Sequence, residues 1–345
     1  MNRTYLDMIQ GQEPAYTPVW FMRQAGRSQP KYREIKKTHS LFDITREPEL
    51  CAYVTNLPVE EYGLDAAILY KDIMSPMAAI GVEVKLVPGK GPVFERPIQR
   101  AADLDQIGAF DGSKVSYIAD TIKLLTSEVL DVSLIGFCGG PFTIASYLVE
   151  GGPTKSYNKT RGLMASQADL WDDLMNRLAD MSIDYLSMQV EAGANALQIF
   201  DSWIGAVSAE QYHAHIFSHM DKIISTMKAK YPHIPLAMNG VGNAHLVEEW
   251  GQLPIDVLAL DWRCPIDRLG QLGIDKVVQG NLDPAFLYAP SHVLDKELDA
   301  IIEAGLRHGR HVFNLGHGVF PEADPAKLKY ITEYVHEKSR ALRAK

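Results

Sequence analysis

Eight short apolar runs recur along the 345-residue chain, each stopping at a polar residue or a glycine or just short of one. They are TPVWFM (17–22), DAAILY (65–70), VSLIGF (132–137), ANALQIF (194–200), PLAMN (235–239), DVLALD (256–261), KVVQGN (276–281) and HVFNLG (311–316). Continuous rather than alternating apolarity marks strands covered on both faces, as in a parallel sheet. Helix-like segments separate the runs, among them PELCAYVTNLPVEEYG and ADLWDDLMNRLADMSIDYLSMQVEAG. Even the tightest intervals hold one short helix each, HLVEEWGQL or PIDRLGQLG. Eight strands alternating with helices predict a (β/α)8 TIM barrel, with a doubly wound sheet as the structural alternative. No linker or low-complexity tract divides the chain, so residues 1–345 read as one domain.

Composition narrows the function. A hydrophobic content of 46% is ample for a large core. Cys51, Cys138 and Cys264 lie far apart, with no CxxC pair, which fits a reducing compartment. The first twenty residues lack the apolar stretch of a signal peptide, so a cytoplasmic location is expected. Residues 132–149 run eighteen positions without a charge, but Gly136, Gly139, Gly140 and Pro141 interrupt them as a strand, turn and helix start would. No membrane association is expected. The net charge of −9 argues against a nucleic-acid partner. Locally the balance inverts, with six Lys or Arg between Phe21 and Ser40 against the single acid Glu34.

In a barrel of this kind the chemistry gathers where strands run into the loops that follow them. Those ends carry Arg23 and Arg27, Asp72, Gly139-Gly140-Pro141, Asp201-Ser202, Asn239, Asp261 and Arg263, Asn281-Leu282-Asp283, and Asn314 with His317. Any single Asp or Asn among them serves equally well as a cap or a buried bracket. No GxxxxGK[ST], complete GxGxxG, HExxH or GxSxG is present. Arginines at a rim suit a substrate bearing carboxylates or phosphates. Asp72 would repel such an anion unless it faces a part of the ligand that donates hydrogen bonds or becomes cationic.

The segments PVWFMRQAGR (18–27), DAAILYKDI (65–73), GFCGGPFTIASYLVEGG (136–152), QIFDSW (198–203), LDWR (260–263), QGNLDP (279–284) and NLGHGVFP (314–321) occur in an order that closely resembles the uroporphyrinogen decarboxylase family, in its Gram-positive bacterial form. The resemblance implies a (β/α)8 barrel, a homodimer, and no cofactor or metal. It implies a small-molecule substrate, a polycarboxylate tetrapyrrole whose four acetate arms lose carbon dioxide to become methyl groups. Carried over residue by residue, it implies a site of Arg23, Gln24, Ala25, Gly26, Arg27, Phe42, Asp72, Tyr147, Ser202 and His317. Arg23 and Arg27 would bind carboxylates, and Asp72 would meet the pyrrole N–H groups and stabilise a ring cation, its charged form favoured by the arginines. Tyr147 would lie near Asp72, Ser202 and His317 would bind carboxylate arms, and Phe42 would pack on the macrocycle. The chain departs from the commonest pattern at GRSQPKYR (26–33), where many members read GRYLPEYR, and at YKDIM (70–74), where many read FSDIL.

Two rivals share the scaffold. A zinc-dependent corrinoid or thiol methyltransferase would need His and Cys ligands, and neither Cys138 nor Cys264 stands in a ligand pattern with His. A non-catalytic tetrapyrrole carrier would have no use for Asp72 in the cleft.

Overall fold

A computed structural model describes residues 1–22, 26–87 and 89–344. The strands are β1 (Ala66–Ile68), β2 (Lys85–Val87), β3 (Gly91–Val93), β4 (Ser133–Gly139), β5 (Ala196–Asp201), β6 (Leu236–Gly240), β7 (Val257–Ala259), β8 (Val277–Gln279) and β9 (His311–Val312). Seven of them form one parallel sheet in the order β1-β4-β5-β6-β7-β8-β9. Every residue of those seven strands is buried, as their unbroken apolarity requires. Because all seven run the same way, their C-terminal ends share one edge.

The sheet curls. Trp20 Nε1 donates to Gln279 Oε1 (3.1 Å), and Gln279 Nε2 donates to Gln198 Oε1 (3.4 Å). Gln279 lies on β8 and Gln198 on β5, with β6 and β7 between them in the sheet, so this buried polar chain spans the interior of the curve.

The first predicted run, residues 17–22, forms no strand. It makes a single parallel bridge, Val19 to Phe313, with Phe313 N donating to Pro18 O (2.8 Å). On its other side Asp65 N, just before β1, donates to Val19 O (2.9 Å). The segment therefore lies between the two ends of the sheet. Side chains have taken over its ladder: Val19 N donates to Asp65 Oδ2 (2.8 Å) and Met22 N to Asn314 Oδ1 (3.0 Å), while Pro18 has no N–H. A feature absent from the sequence reading is the antiparallel pair β2–β3, whose residues are exposed or half-buried and carry no apolar run.

Helices cover the outer face where expected. Pro48–Tyr62 begins with Pro at its first turn and ends at Gly63, whose φ of 70° suits the left-handed cap. Ala168–Glu191 lays its apolar side against the sheet. The uncharged stretch 132–149 divides into β4 and the helix Pro141–Glu150. No helix among the described residues is long and apolar enough to cross a membrane. One buried cluster runs from Tyr5 to Val335.

Asp65 fastens the meeting point of the sheet ends. Besides Val19 N, its carboxylate accepts from Asn2 Nδ2 (3.2 Å), Tyr16 OH (3.1 Å) and His336 Nε2 (2.7 Å). Asp65→Ala strands the buried Val19 N–H and three half-buried donors and should cost about 2–4 kcal/mol in urea unfolding. A loss under about 0.5 kcal/mol, the level of an ordinary surface change, would show that the bracket carries little.

Candidate active site

The predicted site residues come from different loops, and the parallel sheet brings the loops that follow its strands to one edge. Arg23, Gln24 and Ala25 lie outside the described residues. The chain on either side is anchored, since Val319 N donates to Met22 O (3.1 Å) and Gly26 N to Gln29 Oε1 (3.3 Å). Asn314 thus ties the first loop to the loop carrying His317. Gln29 is fully buried and donates to Glu61 Oε2 (2.7 Å); Ser28 is buried beside it. Arg33 Nη1 donates to the carbonyls of Arg27 and Ser28, both at 3.0 Å. The departure at Ser28-Gln29 therefore builds the loop, and it leaves the Arg27 side chain exposed.

Tyr70 joins this loop to Asp72. Its hydroxyl meets that of Tyr32 (2.6 Å), Cys51 Sγ donates to its carbonyl (3.1 Å), and its N–H donates to Thr55 Oγ1 (3.0 Å). Tyr32, Ile44, Cys51, Val54 and Tyr70 form a second small core. Phe42 belongs to the helix Leu41–Arg46 packed there, which starts with a reciprocal Ser40–Asp43 capping box. Its ring is half-buried under the Arg46 guanidinium (5.6 Å).

Asp72 follows β1. One carboxylate oxygen accepts from Met74 N and the other from Ser75 Oγ (3.4 Å), so it also braces the entry to the short turn Ser75–Ile80. Burial pushes its pKa above the usual carboxylate value, opposed by the Met74 N–H and the neighbouring Lys71 ammonium. The expectation that arginines hold Asp72 ionised is corrected: desolvation prevails among the described residues, and the cation beside it is Lys71. Lys71 Nζ donates to Phe137 O (2.6 Å) and sits over the rings of Phe137 (3.6 Å) and Tyr185 (4.6 Å). Its stem is partly exposed while the ammonium is enclosed, and desolvation pulls its pKa down to about 7.

A second bracket fixes the loops after β4 and β5. Asp201 is buried, and its Oδ1 accepts from both Thr143 N (2.9 Å) and Thr143 Oγ1 (2.6 Å). The same hydroxyl accepts from Trp203 N (3.0 Å). Gly140 leaves no room for a Cβ against Asp201, which explains a glycine there. The Trp203 indole in turn packs on Tyr147 (centroids 4.0 Å), whose other neighbour is Phe94 (6.5 Å). Tyr147 and half-buried Ser202 are thus held by one strap. Burial pushes the Asp201 carboxyl up to about 6 against the Thr143 donors.

His317 follows β9, half-buried, its ring edge-on to Trp262 (6.2 Å). Of the other polar strand ends, Asn281 donates to the carbonyls of Asp261 (2.9 Å) and Cys264 (2.6 Å), and Asp283 caps Pro284–Tyr288. These are brackets rather than site residues. The thiols of Cys138 and Cys264 are pushed up to about 12 and about 11, chiefly by burial, which disfavours zinc thiolates. No group of three His, Cys, Asp or Glu suited to a metal gathers among the described residues.

Lys71 generates a pH prediction. Its folded pKa lies below the ordinary lysine value of 10.5, so between about 7 and 10.5 the unfolded chain holds a proton that the folded one has released. Enclosing Lys71 therefore costs stability, a cost that is full below about 7 and fades as pH rises through that window. Lys71→Met should remove this component from the stability–pH curve. It should also raise the Asp72 pKa further and move the acid limb of the rate profile to higher pH. An acid limb that stays put would show that Lys71 does not act on Asp72.

The uroporphyrinogen decarboxylase (URO-D) family model matches residues 1–338. Proteins named uroporphyrinogen decarboxylase from Staphylococcus aureus strains USA300 and JH9 are each 54% identical over 336 residues, covering 97% of this chain and 97% of theirs. Among solved structures, a methyltransferase from Methanosarcina mazei superposes with a TM-score of 0.77 at 20% identity, over 97% of both chains. A B12-independent methionine synthase from a Shewanella species does so with a TM-score of 0.60 at 13% identity, over 90% of this chain and 92% of its own. At such identities these structures speak for the fold alone. By the family match and the near-complete overlap with the Staphylococcus relatives, the chain belongs to the uroporphyrinogen decarboxylase family.

Proposed function

We infer that the protein removes carbon dioxide from the four acetate arms of uroporphyrinogen III, leaving methyl groups and giving coproporphyrinogen III for haem synthesis. The observation that carries this reading is the 54% identity to proteins of that name over 97% of both chains. The curled sheet supports a (β/α)8 barrel in which residues 17–22 serve as the eighth stave, and the continuous core supports a single domain. The family further suggests a cytoplasmic homodimer needing no metal or cofactor.

The chemistry needs an electron sink. An acetate on a pyrrole cannot release carbon dioxide until the ring accepts the electron pair of the breaking C–C bond. Protonation of the adjacent ring carbon creates that sink as a cation. The pair then flows into the ring, an exocyclic methylene forms, and a second proton on that methylene, with loss of the ring proton, gives the methyl group. Each acetate thus consumes one proton and yields one carbon dioxide. Asp72 is the group suited to the cation, and its pyrrole partners are N–H donors. A partly desolvated carboxylate already fixed by Met74 N acts strongly on charge that develops only in the transition state. Arg23 and Arg27 bind carboxylate arms, Gln24, Ala25 and Gly26 line the macrocycle, and Phe42 packs on it. Tyr147 orients Asp72 or the substrate, while Ser202 and His317 bind further arms.

Incubated without oxygen and with a chelator, the protein should convert chemically reduced uroporphyrin to coproporphyrinogen. Activity restored only by zinc would favour the methyltransferase alternative. Asp72→Asn should lower turnover by about two to three orders of magnitude, as losing ~3–4 kcal/mol of electrostatic stabilisation does elsewhere, and weaken product binding far less. An Asn variant with near-normal turnover would reduce Asp72 to a positioning role.

A further inference from the structure

Arg263 is built more firmly than a rim arginine needs to be. Two residues earlier stands Asp261, fully buried at the end of β7. Asp261 Oδ1 accepts from Arg263 N (2.8 Å), and Oδ2 accepts from Arg263 Nη1 (2.8 Å) and from Gly242 N. The carboxylate is thus shared between two backbone amides and one edge of the guanidinium. The guanidinium plane lies over the Trp262 ring at 3.8 Å. Trp262 is fixed in turn, because Gly316 leaves no room for a Cβ against its backbone and Asn281 holds the carbonyls of Asp261 and Cys264. Even so, the Arg263 side chain remains 49% exposed. A guanidinium offers five N–H groups, and Nη1 alone donates to a side chain among the described residues.

The position decides what such a cation meets. Arg263 and His317 touch the same indole, so both stand at the edge where strands end. Asp72 follows β1, which is four places from β7 in the sheet order. In the sheet order a group bound at Arg263 is therefore set apart from the strand end that carries Asp72.

Resting on the function proposed above, we propose that Arg263 is a specificity-determining residue that receives a propionate carboxylate of the porphyrinogen. Propionates survive all four decarboxylations, whereas an acetate must stand at the ring beside Asp72 to react. Held by Asp261 and stacked on Trp262, the fork loses little freedom when a carboxylate arrives, so binding energy far from the chemistry is available to the site. Trp262 forms the apolar floor beneath that contact and links it to His317.

The test compares wild type with Arg263→Gln and Arg263→Lys, reading KM and kcat for uroporphyrinogen and, separately, the Kd of coproporphyrinogen, which keeps four propionates and no acetate. Arg263→Gln should raise KM by about 10–100-fold, the worth of a charge-assisted contact, and raise the product Kd by a similar factor with kcat little changed. Arg263→Lys keeps the ion pair with Asp261 but loses the planar fork, so it should fold normally and show a smaller rise in both constants. A KM that rises while product binding stays unchanged would assign Arg263 to an acetate arm and overturn the proposal. Unchanged KM and Kd in both variants would overturn it too, as would a fall in kcat and thermal midpoint without weaker product binding. If the wild type itself leaves uroporphyrinogen untouched, the proposed function fails instead, and coproporphyrinogen binding by the two variants still reads the propionate contact.

Discussion

The carboxylate of Asp65 lies where the two ends of the curled sheet meet, and the geometry of the mouth depends on it. A curled parallel sheet needs hydrogen-bond partners for the segment lying between its two ends, and residues 17–22 enter with Pro18 unable to donate. Asp65 supplies one acceptor to Val19 N and others to groups at both chain ends, Asn2, Tyr16 and His336. At the opposite end of the same segment Asn314 takes Met22 N. The loop that carries Arg27 leaves the sheet from that second clamp, so its origin is fixed before any substrate arrives.

Buried carboxylates recur at the strand ends, and their surroundings separate structural from chemical roles. Asp65 and Asp261 are enclosed and surrounded by donors. Asp201 gives one oxygen to both donors of Thr143, and burial lifts it to about 6. Each holds two loops in register. Asp72 differs in being partly exposed and held by a backbone amide and a serine hydroxyl, with a cation beside it. A carboxylate with spare accepting capacity at an open mouth can serve a ligand; one enclosed inside the protein can only brace.

Much of this was legible in the sequence, and the exceptions have physical causes. Seven of the eight apolar runs are strands because fully covered parallel strands leave an unbroken apolar signature. Residues 17–22 carry the same signature for a different reason: they are buried, yet side chains of Asp65 and Asn314 replace the backbone ladder. The β2–β3 hairpin was invisible because exposed Lys85 and Leu86 give no periodicity. Of the predicted site residues, Ser202 follows β5 directly, while Asp72 and His317 lie in the loops after β1 and β9, as strand-end polarity suggested. The Asp201–Thr143–Trp203 strap could not be read, since it links residues 58 and 60 positions apart. Nor could the burial of Ser28 and Gln29, which look like polar loop residues and are packed beneath the loop.

Lys71 shows most clearly what sequence alone withholds. Read along the chain, a lysine beside Asp72 is a charge of unknown direction. In the fold, its ammonium has turned onto the Phe137 carbonyl just beyond the point where β1 stops pairing with β4, supplying the donor that a longer β1 would have offered. Two aromatic faces complete its surroundings. The ammonium therefore does two things with one position: it satisfies a backbone acceptor at the sheet edge and opposes the desolvation that raises Asp72. Both tasks favour its charged form, whereas the enclosure that lets it reach Phe137 lowers its pKa towards neutrality. Near neutral pH the charge beside Asp72 is thus conditional, and a carboxylate whose partner titrates in that range is a sensitive place at which to stabilise a transient cation.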